Sequence, residues 1–516
     1  MKKLKKEEKN KREQTIRLED IKSDFITVAS HQLRTPISAI RWSLDTLLSG
    51  QVGDLLEKQK EIVREAYQNN NFMVKVVGDL LRVSRLEEKG LDLVPRFTDT
   101  EKLIEKLIVK HKTFAKASNC LITFAAEPGL PKVYIDPLYL EPVISALIDN
   151  AIRYSRKKGK VKIDLKKSRK YLLIRIKDNG IGIPENQKHL IFSKFFRGVN
   201  AIKTQTEGLG LNLYLAKKII EASGGKIRFI SQEDKRTIFF IYLPAYKTDL
   251  VKLPQEKKER PEDTLKKERE FVSITVHELK EPLGTTKWSL EMLKSQKSGK
   301  LNKEQLELIN QIYRGNERLL VLVRDLLNLA KLQQGKFEIE PQIIKLEEAI
   351  DDVINGFQAK AREKNIKIQW QKNKLKLPQA IADPNRIAQV ITNLISNAIK
   401  YTPRNGKVSL SLDQKTGENL KRISNTLLAG RINFTDNKKG YLVLAVKDTG
   451  IGISPEEQNK LFTRFFRSKK VLNSDSEGTG LGLYITKSIV NLHRGDIWFT
   501  SKLSKGSTFY ISLPIA

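Results

Sequence analysis

Apolar residues near the start of the chain fall at helical spacing. Ile21, Phe25 and Val28, then Ile37, Ile40, Leu44 and Leu47, recur at three- and four-residue steps, the stripe of a helix that packs in a bundle. A glycine-containing turn at Ser49 to Asp54 interrupts the stripe, and a second amphipathic stretch runs to about Glu88. The pattern predicts an antiparallel helical hairpin. Beyond it the period changes: KVKIDLKK (160–167) and YLLIRIKD (171–178) alternate, with helical segments and glycine loops between such runs. That texture predicts an α+β layer with helices on one face of a mixed sheet.

The whole pattern then occurs again. SHQLRTPISAIRWSLDTL (30–47) is answered by VHELKEPLGTTKWSLEML (276–293), each with a histidine, a proline five residues later and a tryptophan eleven residues later. YIDPLYLEPVISALIDNAIRYS (134–155) matches IADPNRIAQVITNLISNAIKYT (381–402), and IKDNGIGIPENQKHLIFSKFFRG (176–198) matches VKDTGIGISPEEQNKLFTRFFRS (446–468). EGLGLNLYLAKKII (207–220) matches EGTGLGLYITKSIV (477–490), so the order is the same in both halves, with an insertion in the second near TGENLKRISNTLLAGRINFTDN. The expected layout is a charged N-terminal helix (1–20), hairpin 1 (21–89), sheet domain 1 (90–246), a linker (247–264), hairpin 2 (265–334, turning near Ser298 to Asn302) and sheet domain 2 (335–516). Two antiparallel helices bury both apolar stripes poorly alone. Each hairpin therefore wants a four-helix bundle, made by dimerisation or by the two hairpins of this chain.

Composition narrows the setting. The 516 residues have room for several domains. The single cysteine, Cys120, has no thiol partner for a disulfide or a cysteine-based zinc site, so a reducing cytoplasm fits. No apolar run approaches the ~18 residues of a membrane span, and the charged start lacks a signal-peptide core. A formal charge of +34 raises nucleic acid as a partner, but the basic residues are interleaved with acids, as in QEKKERPEDTLKKERE (255–270). That is the composition of a solvated helix or linker face, and no nucleic acid is expected.

Of the five histidines only His31 and His277 occupy matching positions. A lone histidine would be read as a satisfied surface residue; a matched pair, each followed by a proline (Pro36, Pro282) that should bend its helix, is harder to dismiss. No G-x-x-x-x-G-K-[ST] occurs, which excludes a P-loop. Instead Gly478, Gly480 and Gly482 precede a helical run, where backbone N–H groups can approach phosphate. Asn393, Asn397, Lys400 and Tyr401 share one helix face. An amide oxygen there suits Mg²⁺ and the lysine suits a phosphate. Asp448 offers an acceptor for an exocyclic amine, and Gly450 and Gly452 are expected to let a base approach the backbone.

With these motifs in fixed order and present twice, the chain resembles the bacterial two-component sensor histidine kinases. The resemblance covers almost everything from about residue 20 onward. It implies an α+β multidomain protein: two four-helix-bundle-forming hairpins, each followed by an α/β-sandwich ATP-binding domain of the Bergerat type. It implies that His277 accepts the γ-phosphoryl group of ATP, that Glu278 orients or deprotonates its ring, and that Asn397 holds Mg²⁺ with Asn393 and Lys400 on the phosphate side. Tyr401 would wall the nucleotide site, Asp448 would read the adenine amine, the lid would comprise Gly478, Gly480 and Gly482, and Phe465 and Phe466 resemble the aromatic pair of the mobile loop, with plain core phenylalanines as the alternative. His31, Asn150 (Mg²⁺), Arg153, Tyr154, Asp178, Gly180, Gly182, Gly208 and Gly210 fill the corresponding places in the first half.

Four departures follow. Gln32 replaces the acid beside the histidine, Ala146 stands where the second half has Asn393, and Asn212 stands at the third lid glycine, where it should restrict the backbone. Thr35 holds a position the family associates with dephosphorylating the partner, whereas the second half has Glu281. The resemblance thus implies a division of labour, with the second half biased toward kinase and the first retaining a phosphatase-like residue. It also implies a response regulator receiver domain acting in trans and a homodimer or an intramolecular pseudo-dimer, and it leaves open whether a separate membrane sensor supplies the input. The alternatives are another ATPase of the same superfamily, which the histidine hairpins argue against, and a nucleotide-binding scaffold without activity.

Overall fold

The computed structural model describes residues 32–88, 93–156, 158–204, 208–246, 261–333, 336–372, 377–416, 418, 420, 440–468 and 478–516. His31, the expected charged N-terminal helix and most of the expected linker lie outside them. The chain divides into two compact units, Met1–Leu320 and Val321–Ala516. Among the described residues no helix is long and apolar enough to cross a membrane.

In the first unit α1 (32–48) and α2 (Glu57–Glu88) form the first hairpin, and α7 (Pro261–Lys294) with the start of α8 (Lys303–Gln333) forms the second. Both α1 and α7 continue through their prolines, Pro36 and Pro282. The α1 stripe expected from the sequence is buried at Ile37, Ile40, Leu44 and Leu47, and Leu279, Leu283, Leu290 and Leu293 form its counterpart on α7. The hairpins pack on each other, with α2 alongside α7. Their hydrogen bonds are reciprocal. Gln59 donates from Nε2 to the carbonyls of Gly299 and Lys300, and Gln305 donates likewise to those of Gly53 and Asp54. Within the hairpins Asn70 donates to the Ile37 carbonyl and Asn316 to that of Leu283, again at matching positions. The turn glycines fit because Gly53 and Gly299 adopt φ of +92° and +117°, and a Cβ on Gly299 would lie 2.4 Å from Leu56 of the opposite hairpin.

A second layer follows each hairpin. In the first unit β1 (Arg96–Thr98) pairs with β3 (Val133–Ile135), and α3 (Thr100–Ala117) leads into β2 (Cys120–Ala126). Next come α4 (Pro137–Arg153), β4 (Gly159–Ser168), β5 (Tyr171–Asp178), the short α5 (Val199–Thr204), α6 (Asn212–Ala222), β6 (Lys226–Gln232) and β7 (Arg236–Pro244). The sheet order is β2-β4-β5-β7-β6, parallel only between β2 and β4. In the second unit β8 (Gln342–Ile344), α9 (Leu346–Glu363), β9 (Lys367–Gln371), β10 (Ala380–Ala382), α10 (Pro384–Tyr401), β11 (Lys407–Lys415) and β12 (Tyr441–Asp448) repeat the series. It closes with α11 (Gly482–Leu492), β13 (Ile497–Lys502) and β14 (Gly506–Pro514) in the order β9-β11-β12-β14-β13. The expected mixed sheet and its duplication are both present.

The helix that carries most site residues is set the same way in each copy. Asp136 caps α4 by accepting from Leu138 N–H, with Pro137 in the first turn, while its other oxygen accepts from Val94 N–H in the segment that follows the hairpin. Asp383 does the same for α10, accepting from Asn385, Arg386 and Glu340. A cap of this kind contributes about 1 kcal/mol, and here it also ties the incoming segment to the helix start. Leu140, Val143, Ile144, Leu147, Ile148 and Ala151 bury one face of α4, which leaves Asn150 and Arg153 toward its edge. The sequence insertion lies between β11 and β12, where the first half has only the turn at Arg169. Its Leu420 packs with Tyr441, Val443 and Trp498.

Candidate nucleotide sites

In the first unit a cavity of about 420 Å³ opens between α4, the end of β5, the glycine segment before α6, and α2. That volume suits a small ligand such as a nucleotide. Asn150, Arg153, Tyr154, Asp178, Gly182, Gly208 and Gly210 all line it. Gly180 does not, because its Cα packs on the Tyr154 carbonyl, where a Cβ would lie 2.3 Å from the oxygen. The sequence reading missed the opposite wall, Gln68 to Asp79 of α2, and it missed Asp149. Asp149 accepts from Arg153 Nε at 2.8 Å and pairs with Lys75 Nζ at 3.5 Å. The i, i+4 spacing of Asp149 and Arg153 was the available signal. Arg153 is thus partly engaged by protein, and Phe114 stacks under its guanidinium.

Asp178 is buried at the strand end, where its Oδ1 accepts from the N–H groups of Gly180 (2.8 Å) and Thr237 (3.2 Å). Burial pushes its carboxyl up from 3.8 to about 6, and those two hydrogen bonds oppose the shift. Asp448 is held identically, by Gly450 and Ser507, and burial raises it too. In each half one carboxylate oxygen is committed to the backbone.

The glycines also meet close neighbours within the protein. Gly182 and Gly452 have φ of +64° and +66°, and a Cβ on either would lie 2.1 Å from a backbone carbonyl, Gln232 or Lys502. On Gly450 it would lie 2.5 Å from the Tyr401 carbonyl. The neighbour that demands glycine at these positions is the protein's own backbone. The lid glycines Gly210 and Gly480, at φ of +66° and +70°, press on the backbone of Phe195–Phe196 and of Phe465. Phe195 and Phe465 themselves have φ of +61° and +58°. None of these phenylalanines is fully buried. A strained backbone repeated in both halves at half-exposed positions is unlike a core phenylalanine and like a functional loop.

The third lid position also needs correction. Neither Gly482 nor Asn212 has a positive φ, so asparagine does not strain the first half's backbone. Gly482 is glycine because a Cβ there would lie 2.6 Å from Asn393 Oδ1, while Asn393 Nδ2 is hydrogen-bonded to Thr486. The first half has Ala146 opposite Asn212, which makes the two departures one exchange: the amide has moved from one helix to the other. Asn393 is therefore spent on holding α11. Asn397 shares its face of α10, and Lys400 Nζ comes within 2.9 Å of where a Gly478 Cβ would stand, so the lysine reaches the lid. Tyr401 is half-buried, and desolvation raises the pKa of its hydroxyl, while its carbonyl accepts from Ile451 N–H.

On the hairpins His277 is exposed and Glu278 half-buried. Glu278 Oε2 accepts from the backbone N–H of Gly208, at 3.2 Å. Trp42 and Trp288, the tryptophans of the repeated phrase, are 64% and 59% exposed. His493 is a core residue: it is buried, with Nδ1 against the Ile489 carbonyl at 2.8 Å and Nε2 accepting from Asp383 N–H at 2.9 Å.

Residues 21–89 and 267–335 match the His Kinase A (phospho-acceptor) domain, and residues 135–247 and 382–516 match the histidine kinase-, DNA gyrase B-, and HSP90-like ATPase family. Together these matches account for well over half of the chain. The protein belongs to the histidine kinases. Sensor protein kinase WalK of Staphylococcus saprophyticus is 33% identical over 228 residues, covering 43% of this chain and 36% of that protein. Signal transduction histidine-protein kinase BarA of Escherichia coli is 31% identical over 257 residues, covering 50% of this chain and 26% of that protein. The chain thus spans about a third or less of these relatives' own lengths. Among solved structures, full-length ShkA in complex with AMPPNP aligns with a TM-score of 0.37 at 26% identity, over 48% of this chain and 46% of that one. Acinetobacter baumannii histidine kinase AdeS aligns at 0.31 and 27%, over 42% and 98%.

Proposed function

We propose that the protein is an ATP-dependent histidine kinase of two-component signalling that carries both phosphoacceptor hairpins in one chain. The observation that carries this reading is the convergence of Asn150, Tyr154, Asp178, Gly182, Gly208 and Gly210, chosen from sequence alone, on a single cavity. Asp178 would accept from the exocyclic amine of adenine, and the lid segment would meet the phosphates. Among the described residues no group of three or more His, Cys, Asp or Glu side chains could hold a metal ion. One amide oxygen, from Asn150 or Asn397, fits Mg²⁺ well, because Mg²⁺ retains waters and takes its other ligands from phosphates. Bound there, the ion would neutralise phosphate charge.

In the reaction Nε2 of the histidine bonds to the γ-phosphorus, the bond to the β–γ bridging oxygen breaks, and ADP leaves with that electron pair. Glu278 receives the Nδ1 proton of His277. Such transfer rests on positioning and charge more than on covalent chemistry by the protein. The phosphoryl group then passes to an aspartate of a separate response regulator. The reciprocal hydrogen bonds of Gln59 and Gln305 support a pseudo-dimer within one chain, since a two-fold interface pairs equivalent residues both ways. A cytoplasmic setting and input from a separate membrane sensor complete the reading. Light scattering combined with labelling by γ-labelled ATP tests it: an active monomer is expected, and activity confined to dimers would remove the pseudo-dimer.

A further inference from the structure

We propose that the first nucleotide site phosphorylates the histidine of the second hairpin, so the halves act as donor and acceptor. The inference rests on the histidine kinase reading and deepens it. Gly208, in the first glycine lid, donates its N–H to Oε2 of Glu278, the residue beside His277. The helices explain this reach across halves. One wall of the first cavity is α2, which packs along α7 and also touches α6, the helix the lid opens. A lid closing over that cavity therefore ends at the neighbouring helix, α7, where His277 is exposed. The sequence asymmetry fits the geometry. The acid stands at 278, where the first lid arrives, and Gln32 stands beside His31.

The contact also gives the lid a chemical task. With Oε2 on the Gly208 N–H, Oε1 remains to take the Nδ1 proton of His277 as Nε2 bonds to the γ-phosphorus and ADP departs. Because one hydrogen bond joins the lid to the acid, lid closure and placement of the acid become one event. The weak features of the first half then lose their force, because Gln32 never had to serve the first nucleotide site.

The test uses the full chain with His31→Ala, so that only His277 is labelled. Asp178→Asn impairs the first site and Asp448→Asn the second. Label on His277 from γ-labelled ATP should form at least tenfold more slowly with Asp178→Asn than with Asp448→Asn; equal rates or the reverse order overturn the inference and leave the kinase reading standing. Mixing the Asp178→Asn protein with a His277→Ala protein should not restore label, and restoration would place the donor in another chain. A binding readout separates lid contact from chemistry. In the Asp448→Asn background, Glu278→Ala should weaken fluorescent ADP binding at the first site severalfold, whereas Glu278→Gln, which still accepts from Gly208, should preserve binding and lose label. Unchanged binding in Glu278→Ala counts against the contact. Absence of label in the unsubstituted protein would end the kinase reading and the inference together.

Discussion

Replacing Asp178 by asparagine should stabilise the unliganded protein while weakening its hold on nucleotide. Burial raises the carboxyl from 3.8 to about 6, against the pull of the Gly180 and Thr237 N–H groups. Between those values the folded chain binds more protons than the unfolded one, so stability falls as pH rises through the window, and the full cost is present above pH 6. About two pH units at ~1.4 kcal/mol each give about 3 kcal/mol as an upper figure. Asparagine keeps an oxygen for the two N–H groups but buries an amide, so the net gain at pH 7.5 is expected at about 1–3 kcal/mol. Cys120 supplies the assay: it is buried in β2 of the same domain and is the chain's one cysteine. Its reaction with a dithiopyridine reagent across a urea series reports the unfolding of that domain. The gain should shrink toward zero near pH 4, where the wild-type carboxyl is already neutral. An equal gain at both pH values, or none at pH 7.5, would mean that the buried charge of Asp178 carries no such cost.

Three further outcomes follow from the structure. His493 is held neutral by burial, its pKa lowered below 6.5, so the unfolded chain takes up the proton first and stability should drop as pH falls through 6.5. His493→Phe should remove that dependence and cost about 1–3 kcal/mol through the orphaned Asp383 N–H, both measurable by thermal unfolding. Gly482→Asn should destabilise the second ATP-binding domain by more than about 1 kcal/mol, and Asn393→Ala should relieve it; additive losses in the double-mutant cycle would refute the exchange. Gln32→Glu should increase phosphorylation of His31, and no gain in that rate would count against the division of labour between the hairpins.

The duplication and the alternation of β4 and β5 were legible because they are local patterns, and so was the shared face of Asn393, Asn397 and Lys400 on α10. The partner of each hairpin was not. Stripes such as Ile37–Ile40–Leu44 declare that a bundle forms, but only the reciprocal bonds of Gln59 and Gln305 say with what. The glycines were found, but not the packing that demands them, since Gly452 answers to the Lys502 carbonyl, far away in sequence. The same holds for Gly482 and Asn393, whose meaning lies in a contact between two helices. The α2 wall of the first cavity carried no motif at all, because Lys75 and Asp79 read as ordinary polar positions on an amphipathic helix.

Incubation of the protein with Mg²⁺ and γ-labelled ATP, comparing wild type with His31→Ala, His277→Ala and the double variant, decides whether the chain is a histidine kinase. Acid-labile label that is lost chiefly with His277→Ala is expected. Label that survives in the double variant, or none in the wild type while ATP still binds, would contradict the kinase reading.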